Sequence, residues 1–478
     1  MEADSVSQST AMRPTAGRLR SSAPTVLALV AGGLLRIWMF RHFFEVNGDT
    51  LIYGGIAKNL LWHGRYALTV GSGEIYPTLI RLPGYPLFLA ACFRLFGMEN
   101  YAAAAWVQIA LELGGCLLLA AMVRRIASPA AAQCTLWLAA LCPFTAIYSA
   151  SPLTEALTLF VLALALWAAA RFQDRPGWGS ALWFTFAVTY AALLRPDGAL
   201  AALALAPALV VLRRGKGKQE AALQRPRVAR MALVCLFLAL APFAAWTWRN
   251  WQVFHVFEPL APRYATDPGE DTHAGWVSWV KTWSLDFVST YSIYWNVPGG
   301  PLDISQLPSR AFDSPAQCAE TAALAADYNQ NDWNLTPEMN ARFARLAKER
   351  RAAHPLRSWI WLPLGRVTDM WLRPRVENLP IDLDWWVYAH HHVETRFSWA
   401  YAGLNVLYLL LGLAGLCLRP RMWPWMLAYM ALRSALLLTV EAPEARYTLE
   451  CFPMLFVLGG VALGRVWVKI FRSGPGIS

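Results

Sequence analysis

The chain has 478 residues, of which 56% are hydrophobic and 24 are tryptophan, and its mean hydropathy is +0.34. This excess of apolar and aromatic residues over a soluble globular protein predicts an integral membrane protein. The formal net charge of +11 does not indicate nucleic-acid binding, because the basic residues recur between apolar segments and are not gathered on one domain. That distribution is typical of the cytoplasmic loops of a membrane protein.

The apolar segments predict an all-α integral membrane protein with about ten transmembrane helices, and the basic clusters place both termini in the cytoplasm. The most basic cluster, residues 213–230, falls in a predicted cytoplasmic loop. The predicted spans are 24–41, 102–123, 131–148, 152–170, 179–194, 197–212, 231–248, 398–418, 422–440 and 450–468.

These spans divide the chain into four predicted parts. The cytoplasmic tail is 1–23, and an N-terminal transmembrane module with spans one to seven is 24–248, with a first extracytoplasmic loop at 42–101. A long extracytoplasmic loop covers 249–397, and a C-terminal module with the last three spans covers 398–478.

The long extracytoplasmic loop contains two aromatic segments that predict juxtamembrane helices at the membrane interface. In the first, Trp276, Trp279, Trp283 and Phe287 recur at helical spacing, as in an interfacial aromatic anchor. The second, 359–371, is apolar but carries charges and a proline. The composition of residues 302–351 predicts a soluble, partly helical loop between them.

The first extracytoplasmic loop begins with an acidic residue at the start of a predicted helix. Ile52, Ile56 and Leu60 follow Asp49 at helical spacing, and Gly64 is placed as a C-cap. Aspartate is a favoured N-cap, so helix capping is one explanation of Asp49. The other explanation is a functional carboxylate at the membrane surface.

Further charged groups are predicted on the same side of the membrane as Asp49. Glu155 lies at the outer end of the fourth span, where an acidic first turn also complements the helix dipole. Arg249 ends the seventh span and Arg446 precedes the tenth, although an outer arginine can simply snorkel to the headgroups. Arg195 is interpreted as a turn and snorkelling residue, and Glu112 in the second span as a partner across helices or part of a polar cavity.

The residues of the first loop form a recognisable order. They are Asp49, Tyr53, Ala57, Lys58-Asn59-Leu60, His63-Gly64 and Arg81-x-Pro83-Gly84-Tyr85-Pro86. This order resembles the first extracytoplasmic loop of the GT-C membrane glycosyltransferases. More narrowly, it resembles the bacterial branch related to protein O-mannosyltransferases and to the aminoarabinose transferases of lipid A. The resemblance covers most of the chain in layout, but only four short patches in residues.

The resemblance implies a site built from these patches. Glu155 matches the position of a second acidic residue, and Arg249-Asn250 and Arg446-Tyr447 match two later patches. Asp49 and Glu155 are therefore the expected catalytic residues, and Arg81, Arg249 and Arg446 the expected ligands of the donor phosphate. The expected substrate-binding residues are Tyr53, Lys58, His63, Tyr85, Asn250 and Tyr447.

The resemblance also implies the reaction, which is sugar transfer from a polyprenyl-phosphate donor at the outer face of a bacterial inner membrane. A carboxylate would accept the proton of the acceptor hydroxyl, and displacement in line would invert the anomeric centre. The acceptor could be a lipid, a glycan or a protein hydroxyl. The sequence contains no Gly-rich phosphate loop, which disfavours a soluble nucleotide-sugar donor.

The alternative is a transporter or flippase of the lipid-linked sugar, although no paired repeat with broken helices is evident. The eight cysteines show no CxxC pair, and the consecutive His390, His391 and His392 cannot easily converge on one ion. No metal site is therefore predicted. No cofactor is certain, although Asp49 and Glu155 could share a divalent ion.

Overall fold

A computed structural model describes residues 16–71, 73–210 and 218–472. Its regular secondary structure is helical apart from one antiparallel pair of short strands, β1 (Ala67–Thr69) and β2 (Ile75–Pro77), and turns and irregular segments connect these elements. The predicted all-α class is confirmed. Most of the predicted tail 1–23, and the basic segment between residues 211 and 217, lie outside the described residues.

Nineteen α-helices are assigned within these ranges. They are α1 (Ala16–Phe43), α2 (Asp49–His63), α3 (Gly84–Phe96), α4 (Tyr101–Ile126), α5 (Pro129–Ala140), α6 (Pro143–Ser149), α7 (Thr154–Asp174), α8 (Trp178–Leu194), α9 (Ala199–Leu205), α10 (Pro207–Val210), α11 (Lys218–Phe254), α12 (Ala274–Val280), α13 (Phe287–Ser289), α14 (Pro315–Gln330), α15 (Pro337–Ala353), α16 (Leu362–Leu372), α17 (His392–Cys417), α18 (Trp423–Leu437) and α19 (Phe452–Arg472). Short 3₁₀ helices lie at Pro196–Gly198, Ile304–Gln306, Ser309–Ala311 and Ala445–Cys451, and π-helical turns at Thr290–Tyr294 and Arg357–Trp361.

The described residues contain six helices that are long and apolar enough to cross a membrane, and a seventh if the α5–α6 pair, bent by 55°, counts as one span. The six are Ala23–Phe43, Tyr101–Ile126, Thr154–Asp174, Val228–Phe254, His392–Cys417 and Ala445–Ile470. The chain is therefore a multi-pass membrane protein, but the predicted count of ten spans is not confirmed. All ten predicted segments are at least partly helical.

Prolines account for two of the differences from the predicted spans. Pro143 separates α5 from α6, and Pro207 separates α9 from α10, because proline lacks the amide donor that a continuous helix needs. The other two predicted spans, now α8 and α18, have only 17 and 15 residues.

The centre of the helical bundle is α7, most of which is buried against α4, α8 and neighbouring helices. One ion pair is enclosed beside it, because Arg36 Nη2 lies 2.7 Å from Glu112 Oε1 and both side chains are buried. Arg36 also donates to the carbonyl oxygen of Ala140 at 2.7 Å. Of the two interpretations of Glu112, pairing across helices is the one observed.

The long segment between α11 and α17 has its own core, and this corrects the interpretation of its aromatic stripe. Trp276, Trp279 and Trp283 were predicted to anchor at the membrane surface, but each is no more than 1% exposed. Trp276 and Trp279 pack on Phe343 of α15 with ring centroids 5.1 Å apart. Trp276 and Trp279 therefore join α12 to α15, and Phe287, the last residue of the stripe, is buried on α13.

The second aromatic segment keeps its apolar face uncovered. Leu356, Trp359 and Trp361 are 64%, 69% and 66% exposed at the start of the π-helical turn and α16. An interfacial location for this segment remains a prediction, as does the division of the chain at residues 23, 248 and 397.

Two close backbone approaches position the loops at the end of the bundle where α1 and α11 end and α7 begins. A Cβ atom on Gly84 would lie 2.6 Å from the carbonyl oxygen of Leu193, and one on Gly198 would lie 2.1 Å from that of Ala191. Both glycines therefore allow the chain to press against the end of α8. This contact brings the segment before α3 beside the Pro196–Gly198 turn.

Candidate active site

A cavity of about 380 Å³ opens where these loops meet, and we call it the charged cavity. Its lining comes from six separate parts of the sequence. The charged side chains that line it are Asp49, Arg81, Glu155, Arg195, Asp197, Arg263 and Arg446. An adjoining cavity of about 970 Å³, the aromatic cavity, shares several of these residues and also includes Phe287, Tyr291, Tyr294 and Trp295.

Asp49 is the first residue of α2, and its side chain points to an arginine. The N-cap residue is Gly48, and no side-chain capping hydrogen bond is made among the described residues. Instead, Asp49 Oδ1 accepts a hydrogen bond of 2.7 Å from Arg81 Nη2, and Oδ2 lies 3.7 Å from Arg446 Nη2. Capping therefore does not account for an aspartate at this position.

The arginines hold Asp49 in its charged form. Burial disfavours the carboxylate, but the nearby guanidinium groups of Arg81 and Arg446 outweigh that effect and lower the pKa of Asp49 below its ordinary value. The carboxylate is therefore ionised at neutral pH and, in this state of the cavity, a weak base.

Glu155 lies in the first turn of α7 and is only 3% exposed. Its Oε1 atom is 3.2 Å from Arg195 Nη1 and 3.7 Å from Arg446 Nη1. Because Arg446 reaches Asp49 as well, this one guanidinium lies between the two carboxylates. The structure thus brings together both carboxylates and two of the three arginines that the sequence nominated.

Arg446 and Tyr447 come from the 3₁₀ helix at the start of the last long apolar segment. Arg446 Nε lies 2.6 Å from Glu444 Oε2, and the hydroxyl group of Tyr447 donates to the same carboxylate. The guanidinium groups of Arg446 and Arg195 lie 5.7 and 5.5 Å from the centroid of the Tyr447 ring. Glu444 and Tyr447 therefore hold both guanidinium groups in place, and Tyr447 lines both cavities.

Residues 81–248 match the family model of the dolichyl-phosphate-mannose-protein mannosyltransferases. The fold is similar to that of the archaeal oligosaccharyltransferase AglB from Archaeoglobus fulgidus, solved in complex with an inhibitory peptide and a dolichol-phosphate. The TM-score is 0.50 at 12% sequence identity, and the match covers 96% of this chain and 52% of AglB. The chain has the fold of the GT-C membrane glycosyltransferases.

A second structure of the Archaeoglobus fulgidus oligosaccharyltransferase, tethered to an acceptor peptide, has the same TM-score of 0.50 at 13% identity and covers 95% of this chain and 50% of that one. The chain thus spans about half the length of these enzymes. ArnT from Cupriavidus metallidurans, bound to undecaprenyl phosphate, gives a TM-score of 0.39 at 15% identity, covering 93% of this chain and 78% of ArnT. No curated protein sequence matches. The resemblance to GT-C enzymes drawn from the sequence is confirmed.

Four charged residues of the site are not predicted from the sequence, namely Arg195, Asp197, Arg263 and Glu444. Arg195 was assigned to a turn, but its guanidinium lies 3.3 Å from both Asp197 and Glu450, in addition to Glu155. Arg433 then pairs with Asp197 at 2.6 Å and with Glu450 at 3.0 Å. Arg433 and Glu450 lie inside predicted spans, where ionisable residues are expensive, and that signal could have revealed the network.

Tyr53 also lines the charged cavity of this GT-C fold, one turn after Asp49. The guanidinium of Arg81 lies 5.8 Å from its ring centroid, and its ring contacts the edge of Tyr85 at 5.0 Å. Tyr85 itself is buried and donates a 2.5 Å hydrogen bond to Gln108. Tyr85 is not among the described residues that line either cavity, so its role is to pack against the ring of Tyr53 and support it.

Lys58 and His63 are not among the described residues that line the charged cavity or the aromatic cavity. Lys58 pairs with Glu99 at 2.6 Å, and His63 is exposed in the last turn of the helix. The structure therefore does not bring these two predicted substrate-binding residues to the site.

Among the described residues that line the charged cavity and the aromatic cavity, Arg249 and Asn250 are also absent. Arg249 donates to the carbonyl oxygens of Tyr66 at 2.6 Å and Thr78 at 2.8 Å, and stacks on the rings of Tyr66, Trp246 and Phe254. Asn250 donates to the carbonyl oxygen of Glu258 at 2.8 Å. Arg249 therefore fixes the backbone of the first loop and Asn250 that of the segment after α11, so the phosphate-binding assignment of Arg249 is not supported.

We expect Arg249→Lys to lower the melting temperature and leave the affinity for a polyprenyl-phosphate donor within about twofold of the parent protein. A lysine cannot bridge two carbonyl groups and stack on three rings as a guanidinium does. Thermal melting and donor titration of the purified variant measure the two effects, with Arg446→Lys as the converse variant. A tenfold lower donor affinity at an unchanged melting temperature would contradict this prediction and support Arg249 as a ligand of the donor phosphate.

Asp49 and Glu155 are not arranged to share a divalent ion, because the guanidinium of Arg446 lies within 3.7 Å of both carboxylates. Among the described residues, only Asp382, Asp384 and His391 form a group of three ligands close enough to share an ion. That group is exposed or partly exposed and lines neither described cavity. Of the histidine triplet, only His391 belongs to it.

Proposed function

We propose that the chain is a membrane glycosyltransferase that moves a sugar from a polyprenyl-phosphate-linked donor to an acceptor hydroxyl. One observation carries this proposal, namely that the guanidinium of Arg446 lies 3.7 Å from both Asp49 and Glu155 in an accessible cavity. In this arrangement, a guanidinium group that can bind phosphate lies next to a carboxylate that can accept a proton. The match of residues 81–248 and the fold shared with a protein solved with dolichol-phosphate support it.

The charged cavity suits the phosphate of such a donor. Four arginines and three carboxylates line it, and each guanidinium group already has an acidic partner, so a phosphate would bind by sharing these guanidinium donors and not through a net positive charge. Arginine is well matched to phosphate because its planar donors bind two oxygens at once. We assign Arg81, Arg195 and Arg446 to the phosphate, with Arg195 taking the place that the sequence gave to Arg249.

In the proposed reaction, the acceptor oxygen attacks the anomeric carbon while the bond from that carbon to the phosphate oxygen breaks. The electron pair of the broken bond stays on the phosphate, where the arginines stabilise the developing charge. The proton of the acceptor hydroxyl passes to a carboxylate, with Asp49 as the first choice. Attack in line with the leaving phosphate inverts the anomeric centre.

The donor itself would activate Asp49. In the free cavity, Arg81 and Arg446 lower the pKa of this carboxyl, which makes it a poor base. When phosphate oxygens share those guanidinium groups, the added negative charge raises the pKa of Asp49 again. Proton transfer is thereby favoured only when the donor is bound, and the tightly paired Glu155 keeps Arg195 and Arg446 oriented.

We assign the reaction to the extracytoplasmic face of a bacterial inner membrane. Predicted cytoplasmic basic clusters at Arg124-Arg125 and Arg419–Arg421 lie at the opposite ends of helices from the charged cavity. The sugar and the acceptor are left to experiment.

Mass spectrometry of membrane lipids and envelope glycans, with and without the gene, tests the proposed function. We expect a polyprenyl-phosphate sugar to accumulate and one glycosylated product to disappear when the gene is deleted. Purified protein should then consume that lipid and release polyprenyl phosphate. Movement of the lipid across vesicles without its consumption would instead identify a flippase and contradict the proposal.

A further inference from the structure

The aromatic cavity adjoins the charged cavity but has a different chemical character. One wall is formed by Phe287, Tyr291 and Trp295, which follow one another at intervals of four residues along α13, the π-helical turn and the residue directly after it. The three rings contact each other with centroids 5.8–5.9 Å apart. Tyr291 and Trp295 remain 54% and 45% exposed, so two large rings are presented to the cavity and its solvent.

This aromatic wall is fixed relative to the charged cavity. Thr290 Oγ1 donates to the carbonyl oxygen of Pro443 at 3.4 Å, and Pro443 directly precedes Glu444, which holds Arg446. Asp286, immediately before the wall, forms a 2.6 Å ion pair with Arg310. A ligand bound against the wall therefore has a defined position relative to Arg446.

Carboxylates of the same cavity provide the polar groups. Glu441 lies 3.4 Å from Arg263 and 3.9 Å from Lys281, and Glu377 lies 3.1 Å from Arg373. Because each acid has a basic partner, this region has little net charge and favours neither a strong anion nor a strong cation. It can still accept hydrogen bonds, since an ionised carboxylate has about four acceptor positions.

We propose that the aromatic cavity is the acceptor subsite and that it binds a carbohydrate acceptor. This inference rests on the proposed function. The C–H groups on one face of a sugar ring pack against the negative faces of Tyr291 and Trp295, while its hydroxyl groups donate to carboxylates such as Glu441. The acceptor hydroxyl then enters the charged cavity beside Asp49, because both cavities include that residue.

Two other occupants fit the cavity less well. An extended peptide can be bound by pairing its backbone with a sheet edge, but the one sheet in the described residues, β1–β2, contributes nothing to this lining. A lipid chain requires a continuous apolar surface, whereas Glu377, Asn378 and Glu441 interrupt this one.

In-cell photocrosslinking of the full-length chain identifies the occupant. Tyr291→p-benzoylphenylalanine places a benzophenone at the wall, and the same substitution at Trp333 is the control, because Trp333 is exposed on the same segment and lines neither described cavity. We expect adducts at position 291 whose mass contains sugar residues, at least tenfold above the control. Adducts that contain only peptide or only phospholipid, or none above the control, overturn the inference.

A second pair of measurements separates this inference from the proposed function. Undecaprenyl phosphate, titrated into the protein in nanodiscs, probes the charged cavity alone. We expect Trp295→Ala to bind this probe within twofold of the parent but to lower glycan modification in cells at least tenfold, with Trp295→Phe restoring most of it. Failure of the parent to bind the probe contradicts the proposed function, whereas unchanged modification in Trp295→Ala contradicts the acceptor subsite.

Discussion

Asp49→Asn is expected to lower the rate of sugar transfer by about 10²–10⁴-fold, the usual contribution of a general base, with normal expression and folding. Asparagine is nearly the same size, and because Gly48 is the N-cap residue of α2, the substitution removes no capping hydrogen bond. Its amide oxygen can still accept the hydrogen bond that Arg81 donates to Asp49. The substitution thus removes mainly the charge and the ability to accept a proton.

The measurement is transfer from a purified lipid donor in detergent, with folding followed by thermal melting. Asp49→Glu should also fail, since one added methylene displaces the carboxylate from its working position. Thr50→Ser, at the next residue, is the control, because its hydroxyl bonds the carbonyl oxygen of Pro152 and lines neither described cavity. Full activity in Asp49→Asn would exclude this residue as the base and leave Glu155 to be tested.

The dependence on pH follows from the direction of the pKa shift. Asp49 titrates below its ordinary value of 3.8 in the folded protein, so the stabilisation from its ion pairs is complete above that value and is lost as the pH falls through the lower folded pKa. Rates measured at low donor concentration should therefore show no loss from protonation of Asp49 between about pH 5 and pH 7.

Local patterns were sufficient for the parts of the site that lie within one stretch of sequence. The helical spacing after Asp49 and the glycine at position 64 predicted α2, which ends at His63 with Gly64 in a left-handed conformation. Arg81 and Arg446 were predicted as site residues because each belongs to a short patch that carries the resemblance. Their convergence on Asp49 agrees with the prediction that all three residues lie on one side of the membrane.

The rest depended on contacts between distant parts of the chain. Arg195 looked like a snorkelling residue because its partners, Glu155 and Glu450, are 40 or more residues away and no local pattern links them. Trp276 and its neighbours have the same helical spacing whether the stripe faces a membrane or a protein core. Only the packing of α15 against α12 decides between the two, and that contact is not encoded in the stripe.

Arg446→Lys is expected to lower kcat/KM for the lipid donor by about 10²–10³-fold, comparable to the loss of one oxyanion donor. The parent guanidinium can contact two phosphate oxygens and two carboxylates at once, whereas an ammonium group acts as a point charge. Arg342→Lys is the matched control, because Arg342 forms a 3.0 Å pair with Asp327 on the segment between α11 and α17 and lines neither described cavity.

The two possible roles of Arg446 predict different results from the same variant. If Arg446 binds the leaving phosphate, donor affinity and rate both fall in Arg446→Lys. In the double variant, Asp49→Asn then lowers the rate little further, because the effects of residues that act as a unit are not additive. If Arg446 only neutralises Glu155 and Asp49, the retained positive charge of lysine preserves donor affinity. Parent-like turnover in Arg446→Lys would therefore exclude Arg446 as a ligand of the leaving phosphate and leave Arg81 and Arg195 in that role.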